Sequence, residues 1–336
     1  MSPINFKLAA MSFLAIVAAE PAYCRSRPQT LPEHSTPALG AVATAAPATA
    51  IPGREEDARV EQFAFRLAVA GRARCTTLEP NLGLVLQHLS QFELNDRPGM
   101  IAEQSLDRGP GVIVVVPDGP ADRAGISPGD VLLAIDGRAL PPDMAPYAPF
   151  DAALAHARVD TIQDLLAGVE THRFAISLLR GNMVSIVNVA PLPACPTHVH
   201  LARSNQRNAY ADGRHVFLTT GLLSRLRNDD ELAFVIAHEM AHNILHHATI
   251  MRGGNVKHGL GRTLGRSGWI VRETEREADA LGGELMIDAG FDHVSGVAML
   301  ERVSGGDLGI DLFAAHNSAG KRIAAMHALA DARNTQ

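Results

Sequence analysis

The segment Asn228–His242 constrains this chain more than any other. It carries His238-Glu239-Met240-Ala241-His242, an HExxH pentad, after an apolar run of Leu232, Phe234, Val235, Ile236 and Ala237. A run that is apolar almost all round suits a helix buried on every side. Asn228, with Glu231 three residues on, reads as the N-terminal cap. On a helix, residues four apart share a face, so His238 and His242 can aim two imidazole nitrogens at one ion. Glu239 follows the first of them and can reach a water on that ion as general base. In a chain with 15 histidines the pentad also has a chance reading, a satisfied structural pair.

A hydrolytic zinc site needs a third protein ligand and an open fourth position. Glu275 and Asp279, four apart in Glu273–Ala280, can face one neighbour. Glu275 is read as the third ligand. Asp279 is read as the support that holds a ligand histidine by its other nitrogen. Gly282, seven residues after Glu275, would let two helix backbones approach closely. The plainer reading of Glu273, Arg276 and Glu277 is a solvated helix face. His246 and His247 are read as non-ligands, because three donors and a water already fill a zinc site.

HEMAH at 238–242 followed by EREAD at 275–279 resembles the zinc metalloendopeptidases of the HtpX and BepA type. Their wider family includes the CAAX prenyl proteases. The resemblance covers about residues 200–330. It implies an α+β fold whose protease part is a mostly helical, zincin-type domain with a small edge sheet. It also implies one Zn2+ per chain on His238, His242 and Glu275, with Glu239 as base and Asp279 as support. Asn208, Ala209 and Tyr210 resemble the family's edge strand, which receives the substrate backbone. His316, followed six residues later by Arg322, resembles a late His-Pro…Arg-Ile motif, with Asn317 in place of the proline. His316 would either donate a hydrogen bond to the oxyanion or take the water's place as a fourth ligand. Arg322 is read as a partner of Asp279 or of another nearby carboxylate.

The 336 residues suit two domains and a short appendage. A net charge of −6 without a basic run argues against nucleic acid as a partner. Residues 1–19, with Lys7 and the apolar Leu8–Ala19, read as a signal peptide and imply a periplasmic or secreted protein. The rival is an uncleaved anchor in the inner membrane. No lipobox precedes Cys24. Residues 20–54, rich in Ala, Pro and Thr, read as a disordered linker. Residues 55–79 read as an N-terminal helix of the protease domain.

Residues 80–192 form a second module. Gly111–Val116 reads as a buried strand, Pro120–Gly125 as a short helix, Val131–Ile135 as a strand and Asp136-Gly137 as a hairpin turn. This order resembles a PDZ domain of the bacterial protease type, a β-barrel-like fold. Leu82, Gly83 and Leu84 resemble its carboxylate-binding loop, so peptide C-termini are the implied ligands. A spacer without ligand is the other reading. Pro141–Val159 reads as a loop insert. Cys75 and Cys195 bracket the module; a disulfide between them would clasp its neck, and two free buried thiols are the alternative. The protease domain resumes over 193–336. Met251–Trp269, rich in glycine, reads as a flap or as a plain connection. A helix is expected from Asp292 to Leu300, and a last one from Ser318.

The expected function is a periplasmic zinc endopeptidase. Its substrates would be unfolded or misassembled envelope proteins, with the PDZ recognising or regulating. The competing class is a chaperone or scaffold whose zinc site is idle or capped by the chain itself. An aminopeptidase would need a group for the substrate amine, and no such motif is visible.

Overall fold

The computed structural model describes residues 47–140, 148–151, 154–168, 173–196, 198–254, 256, 265–304 and 319–334. The sequence-read signal peptide and His316 lie outside these residues. The described residues belong to one compact unit. The fold mixes helices and sheets, α+β as the sequence implies.

The first strand is β1 (Thr49–Ala50) and the first helix is α1 (Glu55–Ala70), which runs into a 3-10 turn at Gly71–Arg74. Glu55, Glu56 and Asp57 fill the first turn of α1, where the helix dipole favours acid. Val60, Phe63, Ala64 and Leu67 give it a buried face. β1 corrects the linker boundary, since Thr49 and Ala50 pair antiparallel with Val115 and Val114 of the module. The pairing uses backbone groups, so an Ala- and Thr-rich composition does not forbid it.

The module follows, in the order β2 (Glu79–Asn81), β3 (Leu84–Gln87), α2 (Arg97–Gln104), β4 (Gly111–Val115), α3 (Pro120–Arg123), β5 (Val131–Ile135), β6 (Arg138–Ala139), α4 (Ala157–Ala167), β7 (Phe174–Arg180), β8 (Met183–Val189) and β9 (Leu192–Ala194). β4, β5, β7 and β8 lie side by side, with β3 on β4 and β6 on β5. Asp136 (φ 47°) and Gly137 (φ 72°) are both left-handed in the β5–β6 turn, the geometry that a tight hairpin demands. Val112, Val115, Ile126, Leu132, Ile162, Ile176 and Leu178 fill the core.

Helix α4 is the main departure from the sequence reading, which runs a loop through Val159. Val159, Ile162 and Leu166 have helical spacing and are buried on one face. The prolines at 141, 142, 146 and 149 mask that signal. α4 lies across from β3, and together they form the walls of a groove.

The module's two ends meet. β2 and β9 pair antiparallel, Glu79 with Ala194 and Asn81 with Leu192. Just outside this pair a disulfide joins Cys75 to Cys195, with a Cα–Cα distance of 5.6 Å.

The chain continues through β10 (His198–Ala202), β11 (Ala209–Ala211), β12 (His215–Thr219), α5 (Thr220–Leu223), α6 (Asp229–Ile244), α7 (His247–Gly253), α8 (Gly265–Asp288), α9 (His293–Val297), α10 (Met299–Ser304) and α11 (Ala319–Asn334). β12 is central in a three-stranded sheet, parallel to β10 and antiparallel to β11. Both ends of the glycine-rich stretch are helical: α7 extends to Gly253, and α8 begins at Gly265. The helix expected over Asp292–Leu300 is broken in two. Asp292 caps α9, and α10 starts afresh at Met299. The module docks on this sheet through α4: Asp160 reaches His215 Nε2 at 3.0 Å, and Asp164 accepts from Arg214 Nη2 at 2.7 Å.

Candidate metal centre

Helix α6 is built as its sequence suggests. Asn228 Oδ1 accepts from the Glu231 N–H at 2.9 Å, and Asp229, Asp230 and Glu231 crowd the first turn. The Glu231 carboxylate does not close a capping box. It accepts from Arg302 at 2.7 and 2.6 Å and from the Arg227 N–H at 2.7 Å. From Glu231 to Asn243 every residue is buried, so α6 forms the axis of the core.

α8 packs against α6 with Gly282 at the crossing. A Cβ on Gly282 would lie 3.1 Å from His238 N and 3.2 Å from its Cα, so only glycine seats the helices this closely. The approach carries Glu275, two turns earlier on the same face of α8, to the pentad. His238 Nε2 lies 3.2 Å from Glu275 Oε2, and His242 Nε2 lies 3.4 Å from Glu275 Oε1. The two histidine Nε2 atoms are 3.1 Å apart. Donors about 2.0–2.1 Å from one tetrahedral zinc stand roughly 3.3 Å from one another. The three side chains therefore fit a single ion, and they form a group whose donor atoms all lie within 4.8 Å of each other.

Each histidine of the pair is held from behind. His238 Nδ1 is 3.1 Å from Asp279 Oδ1. Arg322 of α11 grips that carboxylate with two bonds, Nε to Oδ2 at 2.6 Å and Nη2 to Oδ1 at 2.5 Å. His242 Nδ1 is 2.9 Å from His247 Nδ1, and His247 Nε2 is 3.1 Å from Glu277 Oε2. The sequence reading gives His247 as a non-ligand and assigns it no partner. The run His246-His247 carries no signal for this contact, because it depends on His246 adopting a left-handed backbone, φ 55° and ψ 34°.

The electrostatics favour a cation. Burial lowers the His238 imidazole, but Asp279 and Glu275 outweigh it and raise its pKa to about 10. Burial raises Glu275, yet hydrogen bonds from His238 and His242 hold it well below the usual carboxylate range. A site that binds a proton this firmly admits a metal only by displacing it, so affinity climbs with pH. Burial, and then His242, push His247 down to about 4. Burial raises the Glu239 carboxyl against the pull of His238 and His242. Glu239 Oε1 is buried without a hydrogen-bond partner among the described residues, as a group that turns toward a reacting molecule would be.

Comparison with known proteins bears on this site directly. Residues 179–258 match peptidase family M48, and residues 111–150 match a PDZ domain. The chain carries an M48 metallopeptidase domain and a PDZ domain. It is 30% identical over 162 residues to the mitochondrial metalloendopeptidase OMA1 of Schizosaccharomyces pombe. That match covers 41% of this chain and 48% of the relative, so the chain spans about half the length of the curated protein it matches. Two solved structures align with 34% of the chain. One is the HtrA-type protease AlgW with a decapeptide, at 23% identity over 30% of that chain and a TM-score of 0.25. The other is the HtrA3 PDZ domain bound to a phage-derived ligand, at 19% identity over 88% of that chain and a TM-score of 0.24. Likeness at that level carries no argument. Peptidases of the M48 family depend on a metal, generally zinc, and the His-His-Glu group fits one.

The remaining sequence-read residues are placed as follows. Ala209 and Tyr210 lie in β11, whose outer edge is unpaired among the described strands; Asn208 stands just before it and still bonds Thr219. Tyr210 stacks on Phe217 with ring centroids 4.9 Å apart. In the expected carboxylate loop, the Gly83 N–H is already taken by Asn81 Oδ1 at 2.8 Å. The carbonyls of Leu82 and Gly83 accept from Ala121 and Val116. The nest drawn from sequence is therefore one donor short. The groove beside it, about 90 Å³, is lined by Leu84, Leu86, Val159 and Leu166, and from outside the PDZ by Glu61 and His200.

Proposed function

We propose that this chain is a zinc-dependent endopeptidase in which His238, His242 and Glu275 hold the metal and Glu239 handles the proton. The observation that carries the reading is the convergence of two Nε2 atoms and one carboxylate, with separations of 3.1–3.4 Å, beside a buried glutamate. Zinc, when bound there, supplies the positive charge that acidifies water and polarises the scissile carbonyl. Glu239 takes the proton from the attacking water at its carboxylate and passes it to the leaving amine nitrogen. The raised Glu239 carboxyl suits a group that must both accept and return a proton. Asp279 and Arg322 fix the ring of His238. The free edge of β11 offers backbone groups to an extended substrate that continues in both directions, which favours endopeptidase over aminopeptidase cleavage.

The substrates proposed are unfolded or misassembled envelope proteins, which present extended segments. The PDZ would recognise peptide C-termini or regulate the site. Its groove is bounded by His200 of β10, so an occupant would touch the peptidase domain. A periplasmic setting agrees with the Cys75–Cys195 disulfide, which an oxidising compartment sustains. Among the described residues no helix is long and apolar enough to cross a membrane.

Zinc content and casein cleavage test the reading, with Glu239→Gln as the control. About one zinc per chain, with cleavage abolished in Glu239→Gln, is expected. Cleavage that survives Glu239→Gln would leave the scaffold reading in its place.

A further inference from the structure

The two ligand histidines are braced differently. His238 is backed by a carboxylate that Arg322 neutralises. His242 is backed by a second imidazole, His247, which is fully buried and has Glu277 behind it. Tautomer bookkeeping makes this second brace directional. His242 Nε2 faces Glu275 and His238, so its lone pair is on that side and its proton sits on Nδ1. That proton needs an acceptor, and His247 Nδ1 stands 2.9 Å away. His247 Nδ1 accepts only if the His247 proton is on Nε2. Glu277 Oε2, 3.1 Å from that nitrogen, holds it there.

The backbone is shaped to make the contact. α6 ends at Ile244, and a continued helix would carry residue 247 away from the face of His242. His246 instead takes a left-handed conformation, uncommon outside glycine, and starts α7 in a new direction.

We infer that His247 is a positioning residue for the metal centre: it accepts the His242 Nδ1 proton, and Glu277 sets its tautomer for that task. The inference rests on the zinc-peptidase reading and assigns a function to two residues that the reaction itself does not use. His247 does not ligate, and Glu277 is half-exposed on the outer face of α8.

Zinc affinity of the full chain, measured by competition with a chromophoric chelator, tests it. His247→Ala removes the acceptor and is expected to weaken binding about 10–100-fold. His247→Asn places an amide oxygen near the position of Nδ1 and is expected to restore affinity to within about 3-fold of wild type. Glu277→Ala leaves the core intact and frees the His247 tautomer; a loss of about 3–10-fold is expected, with the melting of the chelated protein unchanged. In cobalt-substituted protein the d–d band should shift in His247→Ala and return in His247→Asn.

Affinities of His247→Ala and Glu277→Ala within about 2-fold of wild type would overturn the inference. So would a His247→Asn variant as weak as His247→Ala, since packing alone would then explain the loss. A wild-type protein that takes up no zinc overturns the peptidase reading and this inference with it, whereas wild-type binding with unaltered variants removes the inference alone.

Discussion

Gly282 of α8 lies against the backbone of His238 on α6, where an added Cβ would stand 3.1 Å from the His238 nitrogen and 3.2 Å from the Ala237 carbonyl carbon. Backbone atoms cannot rotate aside, so Gly282→Ala must push the two helices apart. Overpacking of this kind costs about 1–3 kcal/mol. Alanine returns about 1 kcal/mol through its better helix propensity. The net change in stability is therefore small, about 0–2 kcal/mol. The metal site fares worse, because Glu275 rides on α8 and both histidines ride on α6. Zinc affinity is expected to fall about tenfold while the melting of the chelated protein moves little. Chelator competition and calorimetry on the same samples check both halves.

Arg322 and Asp279 form a buried, two-pronged ion pair behind His238. Arg322→Met removes the cation and leaves the carboxylate in the core, a change that costs about 3–5 kcal/mol. The pH dependence follows from the sign of the Asp279 shift. Burial raises its carboxyl, but bonds from His238 and Arg322 more than reverse that and leave it below the ordinary value of 3.8. A depressed carboxyl stabilises the fold above its unfolded value and loses that contribution as pH falls through the folded one. Without Arg322 the folded value rises, so Arg322→Met should lose stability at a higher pH than wild type does. Thermal melts between pH 3 and pH 7 would show the displacement; parallel curves would rule it out.

The disulfide Cys75–Cys195 closes a loop with a sequence separation of 120 at the point where β2 and β9 already pair. In the chain-entropy account a loop of this length contributes about 4–5 kcal/mol, and engineered or removed bonds often show less. The double variant Cys75→Ser/Cys195→Ser should lose about 2–5 kcal/mol in denaturant melts. Wild type in reductant should match it, and the variant should not respond to reductant. Zinc affinity should stay unchanged, because the bond joins the flanks of β2 and β9, whereas the three candidate ligands ride on α6 and α8.

Much of this site is written locally, and that part was legible. The HExxH spacing and the Glu275–Asp279–Gly282 register follow from helix periodicity and the Asn228 cap from its residue type, and the structure brings His238, His242, Glu275 and Asp279 together where α6 meets α8. What escaped depends on longer reach or on backbone choice. His247 returns to His242 only because His246 is left-handed, a conformation that a glycine would have advertised and a histidine conceals. α4 carries its helical spacing openly at Val159, Ile162 and Leu166, but four nearby prolines argue for a loop. The Asn81–Gly83 contact is an Asx turn readable from an asparagine two residues before a glycine. Read that way, it would have removed one donor from the expected carboxylate nest. β1 was invisible because its partner, β4, lies more than sixty residues along the chain, and its own residues are too plain to signal a strand.

Glu61, on α1, faces the groove between the PDZ and the peptidase sheet, and burial alone raises its carboxyl from 4.5 to about 8. Among the described residues no cation offsets that burial, so the folded protein keeps this proton where the unfolded chain has released it. The sign of the linkage is then fixed. Between about pH 4.5 and pH 8 the folded state binds more protons than the unfolded state, and stability declines as pH rises. Below 4.5 both states are protonated and the penalty is absent. Glu61→Gln keeps the shape and cannot ionise. It should match wild type near pH 4.5 and exceed it by about 2–3 kcal/mol at pH 8, after discounting for the partial exposure of the side chain. Denaturant melts of both proteins across this range decide the matter: a gap that opens steadily with pH is the expected result, and a constant gap would mean that water reaches Glu61 and keeps it ionised.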